Sequence, residues 1–553
     1  MENKPFAQRI RDGLKLAKMT QVELSKETGI PKSAISQYIS GKFEPKQDRF
    51  RLIADTLGVS EAWLRGFDVP MHKQTKSPES GDKKGGPFMS DKTEAEALQE
   101  QLAIRNEHFL KDHADEIEKA DAFCEGYKAF LQRAKTEREC NKAILEKAAS
   151  LGFVPFDPFG SYKPGDKVYV DNRGKSVILC VFGKKSVAEG VKIVASHIDS
   201  PRLDMKPTPL YEDTELAYFK THYYGGVRKY QWAAIPLSLH GVFVKKDGTV
   251  VPVCLGEEAG EPQFVITDLL PHLAKEQSQR TLSDGIRGEE LNVMVGSRPF
   301  KSDKGSELVK LNILKLLSEK YGIDENDFTS AELEVVPAFE VRDIGFDRGL
   351  IGGYGHDDRV CAYPAMEALY SLDVPAYTCV TVLADKEEIG SDGNTGLASS
   401  FLRYFIEDLA EMEGVKARHV LHNSDCLSAD VTAAFDPTFP QVFDKTNSSF
   451  LNHGVSIAKY TGGRGKSGAS DANAEFLGKV RALLDKENVR WQIGEMGKVD
   501  EGGGGTVALY LANLDINVLD LGVPMLSMHA PFELVAKTDV YSTFRACQAF
   551  YQQ

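Results

Sequence analysis

Residues 191–201 read VKIVASHIDSP, and the fold of the larger part of the chain turns on this stretch. The run VKIVAS is apolar and suited to a buried central strand, and His197 and Asp199 follow it at once. In an α/β sheet the carboxyl ends of the strands form the ligand crevice, so polar groups placed there are candidates for chemistry. Strand-like runs at 167–170 and 177–182 come before it. After Gly352, strand-like segments at 377–384 and 420–422 alternate with helical segments at 360–372 and 395–411. That alternation predicts an α/β layer built on a mixed sheet.

Four further segments carry acids or histidines. YGHDDR supplies Asp357 and Asp358 at the start of an expected helix, and LADKEEIGSDG supplies Glu387 and Glu388 just beyond an apolar strand. Asp425 lies in LHNSDCLSAD and His529 in LSMHAPFE, both behind apolar runs. A single histidine after a strand is usually structural, and a Glu-Glu pair is usually a solvated helix end. Two histidines with several carboxylates at successive strand ends are another matter: they are the nitrogen and oxygen donors that zinc accepts. Hydrolysis by a metal-activated water needs such cations to share charge and a carboxylate to move protons.

In this order and spacing, HIDSP, HDDR, DKEEIGS, SDC and MHAPFE resemble the aspartyl aminopeptidase family of dinuclear zinc exopeptidases. The similarity runs from about residue 90 to the C-terminus and includes VDEGGGGT at 499–506. The resemblance implies two Zn2+ per subunit, with Co2+ or Mn2+ as substitutes. It implies that His197 and Asp425 complete one metal site, that Glu388 and His529 complete the other, and that Asp357 bridges the two. It gives Glu387 the role of general base and Asp199 that of orienting His197. It further implies peptide substrates, a β-rich inserted domain used for dimerisation, and a dodecamer built from dimers. In such relatives a histidine from a neighbouring subunit's insert reaches the substrate, and His272 in ITDLLPHLA is the best candidate, ahead of His222 and His240.

The rest of the chain fits this frame. Between Pro201 and Phe346 the character changes, with β-rich stretches at 241–253 and 332–340 and a Lys246-Asp247-Gly248 turn, as an inserted domain requires. The stretch 72–88, HKQTKSPESGDKKGGPF, has almost nothing to bury and reads as a flexible linker. The expected boundaries are 1–70 for an N-terminal module, 71–89 for the linker, 90–200 and 347–553 for the two catalytic parts, and 201–346 for the insert. Eight cysteines without a Cys-x-x-Cys pair give neither a disulfide framework nor a cysteine zinc site. No apolar run reaches the roughly 18 residues of a membrane span, and residues 1–11 show no signal-peptide pattern, so a cytoplasmic location without membrane contact is expected. Gly465-Lys466-Ser467 is no P-loop, because Tyr460 stands where the first glycine belongs. The glycines at 502–505 suit a loop lining the substrate.

Charge separates the head from the body. The formal net charge is -14, but residues 1–66 hold 12 Lys/Arg against 8 Asp/Glu, so only the head is suited to nucleic acid. Helical pieces are expected at 6–17, 21–27, 32–39, 47–57 and 61–65, with Thr20 and Ser60 as caps and Gly29 and Gly41 as stops. Leu14, Leu16, Val22, Leu24, Ile30, Ile35, Ile39, Leu52, Ile53, Leu57 and Leu64 are the expected small core. MTQVELSKETGIPKSAISQYISGK resembles the Cro and phage-repressor type of helix-turn-helix. The resemblance implies that Lys32, Ser33, Ser36 and Gln37 face double-stranded DNA and that Gln21 contacts its backbone.

Two functions therefore compete: a metalloaminopeptidase carrying a DNA-binding head, and a transcription regulator whose peptidase-like body senses peptide or metal. Retention of Glu387 favours the enzyme, since a sensor is free to lose its base. Met89 directly follows the linker and leaves open that it was the enzyme's original start.

Overall fold

The computed structural model describes residues 5–67, 69, 71, 93–104 and 106–553; the linker stretch 72–88 and Met89 lie outside the described residues. Two compact units emerge, Met1–Ala103 and Ile104–Gln553.

The first unit opens with helices Pro5–Leu16, Gln21–Thr28, Lys32–Ile39, Gln47–Leu57 and Glu61–Arg65. Their limits follow local chemistry. Thr20 accepts from the Glu23 backbone while the Glu23 carboxylate accepts from the Thr20 backbone, a reciprocal cap, and Gly29 ends the same helix at φ 66°. Ser60 precedes the last of these helices without a side-chain capping bond, contrary to expectation. The core differs in part from the expected one. Leu16, Val22 and Leu52 are exposed, whereas Phe6, Ile10, Tyr38, Phe50 and Val59 are buried, because the helix faces that meet are set by packing as well as periodicity.

The second unit holds three sheets. A nine-stranded mixed sheet has its centre on Lys192–His197, which pairs in parallel with Cys379–Ala384 on one side and Asp425–Ser428 on the other. All six residues of the central strand are buried, as its apolar run requires. Helices His356–Tyr370 and Lys537–Tyr551 pack on one face of this sheet, and Phe401–Met412 belongs to the apolar cluster of the other. A seven-stranded antiparallel sheet is built entirely from residues within 202–337, with its own core around Trp232, Phe243 and Phe328. A third sheet of five strands includes Leu350–Gly353 and Glu533–Ala536, which lie beside the candidate site.

One strand is not where the sequence reading puts it. Residues 420–422 belong to the helix Ala417–His422, and the strand begins only at Asp425. Val420 and Leu421 are buried on a helix face, and so short an apolar run does not distinguish the two states. No helix among the described residues is long and apolar enough to cross a membrane.

Candidate metal centre

Parallel pairing fixes which side chains meet. Ala384 lies opposite His197, so both strands deliver their following residues to the same edge of the sheet. Beyond Ala384 the chain turns through a short 3-10 segment, Glu387–Ile389, and presents Glu387 and Glu388. Asp357 and Asp358 sit in the first turn of His356–Tyr370, where their backbones depart from helical angles. His529 lies on the turn before Glu533–Ala536, at φ 63°.

Asp357 is the centre of the arrangement. One of its oxygens lies 3.2 Å from His197 Nε2 and the other 3.2 Å from His529 Nε2. Glu388 approaches His529 Nε2 at 3.6 Å, and Glu387 approaches His197 Nε2 at 3.9 Å. The residue completing the His197 side is Asp430, whose carboxylate lies 3.9 Å from His197 Nε2.

Asp425, expected as a ligand, is at the opposite edge of the sheet. It pairs in register with Lys192, the first residue of the strand that ends at His197, which puts it roughly 17 Å away along the strand direction. There its carboxylate binds Lys192 and Lys479, each at 2.6 Å. The resemblance pointed to Asp425 through SDC, and the strand expected at 420–422 left that acid just behind an apolar run. Once the strand begins at Asp425, the acid beyond its carboxyl end is Asp430, in the same LHNSDCLSAD segment.

Asp199 holds the centre together from behind. His197 Nδ1 lies 3.1 Å from one Asp199 oxygen, and the backbone N–H groups of Glu387 and Glu388 donate to the two oxygens at 3.1 and 3.2 Å. Tyr224, at the end of an insert strand, donates its hydroxyl to Asp199 at 2.8 Å. Burial opposes the Asp199 charge, but the His197 and Tyr224 hydrogen bonds outweigh it and keep the carboxyl ionised. Glu533, which sequence reasoning missed, does the same for the other histidine. It accepts from the His529 backbone at 2.7 Å and the Asp357 backbone at 3.2 Å. The insert also closes the near side. The Gly226 carbonyl is 3.0 Å from His529 Nδ1, and Gly225, at φ 72°, leaves space that a Cβ would take to 3.1 Å from Glu388.

The electrostatics call for a cation. Burial, with repulsion among the acids, raises Asp358 to about 8, Glu387 to about 7 and Glu533 to about 8, and pushes Glu388 and Asp430 well above the carboxylate range. Asp357, like Asp199, is held low, here by the imidazoles of His197 and His529 that face its two oxygens, against the cost of burial. His197 Nε2, Glu388 Oε1 and Asp358 Oδ1 are buried without a hydrogen-bond partner. Unpartnered nitrogen and oxygen donors converging in an over-acidic pocket are the signature of a hard or borderline metal site. In this pocket two groups have ligand atoms within 4.8 Å of one another: His197, Asp357 and Glu388, and His197, Asp358 and Asp430.

Next to Asp430 opens a cleft lined in part by Tyr460, Arg464, Lys466, Glu495 and Gly503. Gly503, at φ 124°, passes so close to the Gly462 carbonyl that any side chain would collide with it. His272 is exposed on a turn of the insert. The expected DNA-facing residues Gln21, Lys32, Ser33, Ser36 and Gln37 are all exposed on the first unit.

The donor set of this pocket is suited to a metal-dependent hydrolase, and comparison with known proteins makes the class specific. Residues 130–551 match the model of the aminopeptidase I zinc metalloproteases (M18), and residues 10–64 match a helix-turn-helix model. A probable M18 family aminopeptidase 1 of Clostridium acetobutylicum is 48% identical over 449 residues, 79% of this chain and 97% of that protein. The crystal structure of an M18 aminopeptidase from Thermotoga maritima superposes with a TM-score of 0.78 at 43% identity, covering 81% of this chain and 99% of that one. The dodecameric mApe1 of S. cerevisiae shares the fold at 21% identity, with a TM-score of 0.64 over 79% of this chain and 97% of that one. The chain belongs to the M18 family, with a Cro/repressor-type helix-turn-helix domain at its N-terminus.

Proposed function

We propose that the protein removes N-terminal residues from peptides at a two-metal centre in which Glu387 moves the proton. The observation that carries this reading is Asp357, which offers one oxygen to the His197 side and the other to the His529 side. His197, Asp430 and Asp357 would hold one zinc ion, and His529, Glu388 and Asp357 the other. When bound, the two ions supply Lewis acidity and anchor the free amine of the substrate. Glu387 takes the proton of the attacking water and returns it to the departing amine. Asp199 keeps His197 and the Glu387–Glu388 turn in register, and Glu533 does so for His529 and Asp357. The cleft beside Asp430 would receive the substrate side chain, with the glycines of 502–504 as its floor.

The direct test is release of the N-terminal residue from matched Asp-, Glu-, Leu- and Lys-initiated peptides. Turnover is expected with zinc, cobalt or manganese, lost on chelation and restored by metal. An N-acetylated peptide should be inert; its cleavage would point to an acyl-amino acid hydrolase. Activity that persists after verified removal of all metal would sink the mechanism.

In such an enzyme, His272 of one subunit would reach the substrate of another. The exposed Leu269, Leu270 and Leu273 around it offer an apolar surface for a second copy, and mApe1 supplies a precedent for a dodecamer. The head would bind double-stranded DNA through Gln21, Lys32, Ser33, Ser36 and Gln37, all exposed around the second and third helices. Selection of bound duplexes from a random pool should yield a defined sequence, with binding weakened by salt. Gln37→Ala should relax that sequence preference while leaving peptide turnover unchanged; failure to enrich any duplex would remove the DNA-binding role.

A further inference from the structure

A second cluster of metal-type donors stands where the insert meets the catalytic body. His240 and Cys254 are directly paired across the antiparallel strands Leu237–Val244 and Val250–Leu255. Directly opposed residues share a face of the sheet and have Cβ atoms about 5 Å apart. The neighbouring pair, Leu239 and Leu255, points the other way into the insert core. His240 and Cys254 therefore face outward, toward the helix Glu137–Ser150, where Glu139 comes to meet them.

Glu139 is already oriented. Its Oε2 accepts from the backbone N–H groups of Lys135 and Thr136 at 3.0 and 3.2 Å as part of the helix cap, which turns Oε1 to His240 Nδ1 at 2.8 Å. On the other side of the ring, His240 Nε2 lies 3.1 Å from Glu257 Oε1. Glu257 is fixed in turn by the Lys135 ammonium at 2.8 Å, and Lys135, only 2% exposed, also donates to the Pro337 carbonyl at 2.9 Å. A carboxylate behind one ring nitrogen, with donors gathered at the other, is the arrangement that fixes a ligating histidine.

We propose that Glu139, His240 and Cys254 form a mononuclear site for a borderline-soft divalent cation of the zinc type, separate from the peptidase centre. Their ligand atoms lie within 4.8 Å of one another. Tetrahedral zinc, with bonds of about 2.0–2.3 Å, sets its ligands roughly 3.3–3.8 Å apart, so the set closes with small side-chain movements. Oxygen, nitrogen and sulfur donors fill three positions, and water takes the fourth from the open side, where Cys254 is the one exposed cysteine of the eight. On binding, the thiol proton of Cys254 and the Nδ1 proton of His240 pass to solvent, and Nε2 keeps the proton it donates to Glu257. The ion would pin the insert to the helix Glu137–Ser150 of the catalytic body.

Cobalt distinguishes this site from the peptidase centre, because the centre around His197 has only nitrogen and oxygen donors. The full chain, stripped of metal and kept under a phosphine reductant, is titrated with Co2+. The wild type should develop a thiolate-to-cobalt charge-transfer band in the near ultraviolet. Cys254→Ala should lose that band, bind one equivalent less and keep peptide turnover within about twofold, the expectation for a solvent-facing group away from the chemistry. Asp357→Ala, which damages only the peptidase centre, should keep the band. No band in the wild type at saturating cobalt, or a band that survives Cys254→Ala, overturns the proposal.

Discussion

Glu387→Gln should lower peptide turnover by about 10²- to 10⁴-fold, the usual contribution of a positioned proton-transfer group. The substitution keeps the size and polarity of the side chain and removes only its capacity to take a proton. Glu387 stands 3.9 Å from His197 Nε2, and its backbone is tied to Asp199, so the turn should keep its shape. Metal content and DNA binding are therefore expected to match the wild type. Measurement of kcat, bound metal and DNA affinity on one preparation separates the readings. Near-normal turnover would remove Glu387 as the base, whereas no turnover from either protein with metal bound would favour a peptide or metal sensor.

Asp430 and Asp425 should respond in opposite ways. Asp430→Asn is expected to weaken one metal site and lower activity at limiting zinc at least about 100-fold, since it removes a charged donor beside His197. Asp425→Asn should leave metal content and kcat close to wild type and destabilise the fold instead. It strands the largely buried Lys192, whose side chain is 6% exposed and whose partner is the Asp425 carboxylate. Breaking a buried pair from one side costs about 3 kcal/mol, which a lowered thermal midpoint would report. If Asp425→Asn loses metal while Asp430→Asn does not, the assignment of the strand edge is wrong.

These two aspartates also mark where the sequence was legible. His197, Glu387, Glu388 and His529 could be read because each stands at the exit of an apolar strand, and parallel pairing brings the exits that carry the first three together. Asp425 failed because that inference needs the strand boundary itself. A helix end at 417–422 and a strand at 425–428 look alike over so short an apolar run as Val420 and Leu421, and the shift moves a side chain to the far edge of the sheet. Tyr224 and Glu533 act through a hydroxyl and through two backbone N–H groups, partners distant in sequence or without side-chain identity, so no local pattern announces them. The head was the reverse case. The limits of its second helix follow a cap at Thr20 and a glycine at 29 that act within a few residues, while its core depended on which faces meet, and Leu16, Val22 and Leu52 fell outside it.

The Tyr224 hydroxyl on Asp199 and the Gly226 carbonyl on His529 mean that both histidines of the centre are steadied by the insert. Such a segment is not an ornament that evolution or an engineer could trim away to leave a smaller working enzyme. Excising it would remove a support from behind each imidazole at once, so a minimised protein could keep every donor and still misplace them. The modular boundary drawn by the chain's topology and the functional boundary drawn by its hydrogen bonds do not coincide.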